Sequence, residues 1–186
     1  MRFIRTVAAA ALPIVAAMSI APATAQLSPG TRAPDFTTRG AIAGKPFTLN
    51  LRSQLRRGPV VLYFFPAAFT DGCNAEAKMF AESIDQFRAA GATDIGMSAD
   101  PVGRLRAFST EHCAGRFAVA SATPQIIRGF DVDLGRTVPG ADGKPRAITS
   151  RTSYVIARDG RIAYAHSDMN PADHVRNTLA AVRALR

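Results

Sequence analysis

The stretch PVVLYFFPAAFTDGC, residues 59–73, decides the fold class. Pro59 to Phe65 form a continuous β-branched and aromatic run, the mark of a central strand covered on both faces. Pro66 stops it, because a proline has no N–H to give to a ladder. From residue 73 the period changes. Phe80, Ile84 and Phe87 recur at i, i+4 and i+7, and Gly91 follows as a terminator, which predicts a helix over 73–90. One of the chain's two cysteines therefore falls in the first turn of a helix that directly follows a buried strand.

Working outward, ATDIGMSA at 92–99 reads as a second buried strand, residues 101–112 as a helix with Leu105 and Phe108 inward, and FAVAS at 117–121 as a third strand. TPQIIRGF is a short helix, and residues 131–150 are a long connection marked by glycine and proline. TSYVIA and RIAYAH, joined by Arg158, Asp159 and Gly160, predict a hairpin over 152–166. Asn170-Pro171 opens a last helix with Val175, Leu179 and Val182 on its inner side. Upstream, residues 27–50 are turn-rich, with DFTT and PFTLNL as the arms of a hairpin. The order predicts an α/β fold: a mixed central sheet with helices on both faces and an N-terminal hairpin extension.

The chain has 186 residues, 47% hydrophobic and 20% charged, enough for one domain that buries a core without disulfides. Residues 1–25 read as a secretory signal peptide. Arg2 and Arg5 form its positive region, 7–21 its apolar stretch, and Ala23 and Ala25 a cleavage pattern before Gln26. The expectation is a single domain over 26–186, exported to a bacterial periplasm, with no stable membrane insertion after cleavage. The net charge of +9 falls to +7 when Arg2 and Arg5 are removed with the leader. The basic residues are scattered, without a basic run interleaved with aromatics, which argues against a nucleic-acid partner and for a solvated surface able to attract anionic partners or head groups.

A helix N-terminus presents unpaired N–H groups and the positive end of the dipole, so Cys73 sits where the nucleophilic thiolate is favoured. Thr70 places a hydroxyl on the same loop, and Pro66 can cover the sulfur from water. Read without that context, Cys73 is equally a small buried hydrophobe. No C-x-x-C or H-x-x-x-H pair supports a metal, and neither G-x-G-x-x-G nor a P-loop occurs, so no cofactor is expected. His112, His166 and His174 read as surface or half-buried histidines.

PAAFTDGC resembles the P-x-x-x-T-x-x-C loop of the peroxiredoxins, the AhpC/TSA superfamily, and its continuation NAEAKMF is similar to the G-C-x-x-E-A-x-x-F of the branch named after bacterioferritin-comigratory protein. GTRAPDF at 30–36, IGMSAD at 95–100 and SRTSYVIARDGRI at 150–162 resemble further segments of that family. The resemblance implies a thioredoxin-like fold and a thiol peroxidase. Cys73 would be the attacking cysteine, Thr70 would hydrogen-bond the peroxide, Arg151 would stabilise thiolate and developing oxyanion, and Pro66 would shield the pocket. Glu76 also matches the pattern; in the first turn an acid complements the helix dipole, so a capping role stands at least level with a catalytic one and no catalytic work is assigned to it. Where many of the branch carry a second cysteine, this chain has Lys78, and Cys113 is the candidate partner. Its disulfide with Cys73 would stabilise the oxidised fold by about 4 kcal/mol, given α-carbons within about 7 Å. The expected partners are a peroxide and a thiol reductant, thioredoxin-like or another exported dithiol, and the expected state is a monomer. Two other readings stand beside it: a dithiol oxidoreductase, disfavoured by the missing C-x-x-C, and a non-enzymatic module with a structural disulfide.

Overall fold

The computed structural model describes residues 26–140 and 143–186, and the expected leader at 1–25 lies outside them. The first hairpin is β1 (Thr37–Ile42) paired antiparallel with β2 (Lys45–Asn50). Then come α1 (Leu51–Leu55), β3 (Val60–Phe64), α2 (Asp71–Ala89), β4 (Thr93–Ser98), α3 (Val102–Glu111), β5 (Ala118–Ser121) and α4 (Pro124–Gly129). The C-terminal part is β6 (Asp133–Pro139), β7 (Pro145–Thr149), β8 (Thr152–Ile156), β9 (Ile162–Ser167), a 3₁₀ turn (Pro171–Asp173) and α5 (His174–Arg183).

Seven strands form one sheet in the order β2-β1-β5-β4-β3-β8-β9. The pairs β3·β4 and β4·β5 are parallel, while β8, β9 and the β1–β2 hairpin run antiparallel to their neighbours. All five residues of β3 are buried, which is why its sequence is apolar without alternation. Odd positions (Val61, Tyr63) face α2, α3 and α5, with Phe80, Phe87, Phe108, Leu179 and Val182. Even positions (Val60, Leu62, Phe64) face α1 and α4, with Leu51, Leu55, Ile126 and Ile127. On the first face the Tyr63 ring stacks on Phe80 at 4.1 Å between centroids and lies over Gly96, where a Cβ would come within 2.8 Å of its hydroxyl oxygen.

Two expectations are corrected. PFTLNL does not stay extended through Leu51. Asn50 caps a short helix there, its side chain accepting from the Ser53 N–H at 2.8 Å, and Leu51 and Leu55 turn into the core. The connection at 131–150 contains the β6–β7 hairpin, a two-stranded sheet apart from the main one. No buried face repeats along β6, so no hydrophobic period announces it.

Candidate active site

Sheet register brings the site together. Phe64 lies opposite Thr152, so Arg151, one residue before β8, lands beside the end of β3 where the chain turns into α2. That turn is held tightly. The buried Asp100 carboxylate accepts from the Ala68 N–H at 2.7 Å, and Arg104 donates to the Ala68 carbonyl at 2.8 Å while its guanidinium lies 5.0 Å from the Phe69 ring. Arg146 of β7 also reaches Asp100, at 2.9 Å, so the unforeseen hairpin braces the loop. Phe69 adopts φ 64, left-handed backbone for an aromatic residue. Such a conformation costs about 1–3 kcal/mol and persists only where the surroundings impose it. Here its ring packs 5.4 Å from both Phe108 and His112.

Thr70 is the N-cap of α2, exposed, with its hydroxyl donating to the Ala67 carbonyl at 2.9 Å. Its donor is thereby used, leaving oxygen lone pairs free to accept from a substrate O–H. Cys73 is the third residue of the helix and 2% exposed. Arg151 places Nη2 3.6 Å from its sulfur, sends Nε to the Met169 carbonyl at 2.9 Å, and pairs Nη1 with the Glu76 carboxylate. All three guanidinium nitrogens are committed, so the cation is fixed against the sulfur. Gly72 permits the approach, since a Cβ there would lie 3.1 Å from Nη2. Burial works against the Arg151 charge, but Glu76 and Cys73 outweigh it and hold the guanidinium above its ordinary value.

Glu76 is not a cap. The helix begins at Asp71, which puts Glu76 in the second turn, fully buried and facing Arg151. Burial raises its carboxyl to about 7 although Arg151 pulls it down. Behind it stands a residue that sequence reasoning misplaced: His174 is fully buried rather than superficial. Its Nε2 is 2.9 Å from the Asp168 carbonyl, which can only accept, so Nε2 carries the proton. Nδ1 then accepts from the Ser153 hydroxyl at 2.8 Å and lies 3.8 Å from Glu76 Oε1, which has no hydrogen-bond partner among the described residues. Burial depresses the imidazole to about 4. Through Asp168 it pins the turn that supplies the Met169 carbonyl to Arg151. The sequence signal was there: His174 and Thr178 extend the buried helix face of Val175, Leu179 and Val182.

Pro66 ends the strand, half-buried, as expected. Cys113 lies just after α3, fully buried, and burial pushes its thiol up. The two cysteines are both free. Their segments already touch through the Phe69–His112 contact, and a groove of about 500 Å³ lined by Asn74, Lys78 and His112 runs between them.

The AhpC/TSA family model matches residues 29–165. Peroxiredoxin Q of Oryza sativa subsp. japonica, a chloroplast protein, is 31% identical over 164 residues, 86% of this chain and 69% of that one. The peroxidoxin BcpB of Mycobacterium tuberculosis superposes with TM-score 0.73 at 29% identity, covering 85% of this chain and 97% of that one. The bacterioferritin comigratory protein of Xanthomonas campestris, studied for alkyl peroxide reduction, superposes with TM-score 0.65 at 26% identity, over 78% and 90% of the two chains.

Proposed function

We propose, for a chain that belongs to the AhpC/TSA family in its peroxiredoxin Q and bacterioferritin-comigratory-protein branch and is a peroxidase of thioredoxin-like fold, that Cys73 is the attacking thiol and Cys113 its partner. The observation that carries this is the Arg151 guanidinium, fixed at 3.6 Å from a sulfur in the first turn of α2. The Cys73 thiolate attacks the terminal oxygen of a hydroperoxide. The O–O bond breaks, sulfur is oxidised to sulfenic acid, and the other oxygen leaves as hydroxide or alkoxide and takes up a proton. Thr70 accepts from the peroxide O–H, while Arg151 and the helix N-terminus face the charge that develops on the oxygens. Pro66 keeps water from the sulfur. The substrates in this reading are hydrogen peroxide and small organic hydroperoxides.

Cys113 then attacks the sulfenic sulfur, releasing water and closing a disulfide. Both thiols are buried, and local unwinding of one or both helices, at the first turn of α2 or the end of α3, would bring them together. Ala114 and Gly115, at φ 49 and 65, form a turn after α3 from which unwinding can start. An external dithiol of the thioredoxin type reduces the disulfide. If the leader directs export as read, that donor is periplasmic and the enzyme works there as a monomer. A Cys73→Ser chain tests the reading. It should fold and consume no peroxide, and continued turnover would exclude Cys73 as the nucleophile.

A further inference from the structure

Three short segments, 30–35, 52–57 and 158–161, meet at the end of the sheet where β3 begins. Arg32 and Arg161 face each other in a β-bridge, and Arg161 donates to the Gly30 carbonyl at 2.8 Å. Arg158 donates to the Arg56 carbonyl at 3.2 Å, and Arg32 to the Asp159 carbonyl at 3.2 Å. Arg32, Arg52, Arg56 and Arg158 line one shallow groove of about 410 Å³. With Arg57 and Arg161 the segments hold six arginines against two acids, Asp35 and Asp159, a net +4 of the +7 carried from residue 26 onward.

We propose that this arginine-rich face docks on an anionic phospholipid surface and holds the active site away from it. Arg52 pairs with Asp35 at 3.0 Å and Arg161 lies 3.9 Å from Asp159, yet their side chains stay 74% and 57% exposed, so the guanidiniums are distributed over the face instead of converging on one phosphate. That layout suits a plane of head groups. No residue of the three segments is aromatic, so the face lacks the stacking platforms a nucleic-acid surface uses. β3 separates the two ends of the molecule, with Arg57 before its start and the Cys73 loop after its end, about 15 Å along the strand. Docking this way leaves the peroxide entrance in bulk solvent.

The test is flotation of the full chain with vesicles of phosphatidylcholine alone and with phosphatidylglycerol added. The neutral vesicles measure what the apolar stretch contributes, and the anionic-to-neutral ratio is the readout. Replacing Arg52, Arg56 and Arg158 together by Gln should cut that ratio about 100-fold, at about fivefold per surface cation, and leave peroxide consumption unchanged. The same three as Lys should keep it. Replacing Arg39, Lys78 and Arg136 by Gln removes the same charge from other exposed positions and should have little effect. Equal loss in both Gln triples would overturn the proposal in favour of general net-charge attraction. So would loss in the Lys triple, absence of anionic preference in the parent chain, or full competition by duplex DNA at equal phosphate.

Discussion

Replacing Glu76 by Gln should stabilise this protein at alkaline pH while impairing its chemistry. The folded carboxyl sits at about 7 against an ordinary value of 4.5, because desolvation outweighs Arg151. A folded state that binds the proton more tightly than the unfolded chain loses stability as pH rises between those two values. The loss is about 3 kcal/mol by pH 8, at about 1.4 kcal/mol per unit. Gln mimics the neutral carboxyl, so the variant should match the parent near pH 4.5 and exceed it by about 3 kcal/mol at pH 8. His174 has the opposite sign. Its folded value of about 4 lies below the ordinary 6.5, so its contribution is complete above 6.5 and disappears as pH falls towards 4. Between about 4.5 and 6.5 the two slopes oppose each other; the Gln variant removes the Glu76 slope and leaves that of His174 together with that of the buried Asp94, whose carboxyl burial also raises. Urea unfolding of the reduced proteins by far-UV circular dichroism across this range measures both. A variant less stable than the parent at pH 8, or a difference that does not change with pH, would refute the reasoning.

Arg151→Met should lower the second-order rate of Cys73 oxidation about 10²–10³-fold, the effect of losing one donor aimed at a developing charge, as read by stopped-flow peroxide consumption. Thr70→Ser should keep most of the activity, whereas Thr70→Val, with no oxygen to accept from the peroxide, should fall about 100-fold in kcat/KM, with only a small drop in melting temperature from the lost hydrogen bond to the Ala67 carbonyl. Asp100→Ala leaves the Ala68 N–H and Arg146 without their buried partner; equilibrium unfolding should show a loss of about 3–5 kcal/mol.

The parallel core was legible because fully buried strands write themselves as unbroken apolar runs, and β3, β4 and β5 fell within a residue or two of their expected bounds. The β6–β7 hairpin was not legible, since its residues pack little and its anchor, Arg146 on Asp100, is a contact between residues 46 positions apart. At the site, Cys73, Thr70 and Pro66 lie on one continuous loop and were readable together. Arg151 was placed by family likeness, and what fixes it there is the register of β8 on β3. Glu76 and His174 were misjudged for one reason. A lone charged or polar residue reads as exposed or capping unless its surroundings are known, and here Glu76 pairs with Arg151 while His174 packs behind it, across three separate elements.

The central claim is that Cys73 takes the oxygen and Cys113 closes on it. Intact mass and free-thiol count of the reduced protein, followed over milliseconds to seconds after one equivalent of hydrogen peroxide, tests it most directly. The account predicts loss of both thiols with a mass two hydrogens lower. A stable gain of one oxygen with Cys113 still free would contradict the disulfide step, and two intact thiols would contradict the attack itself.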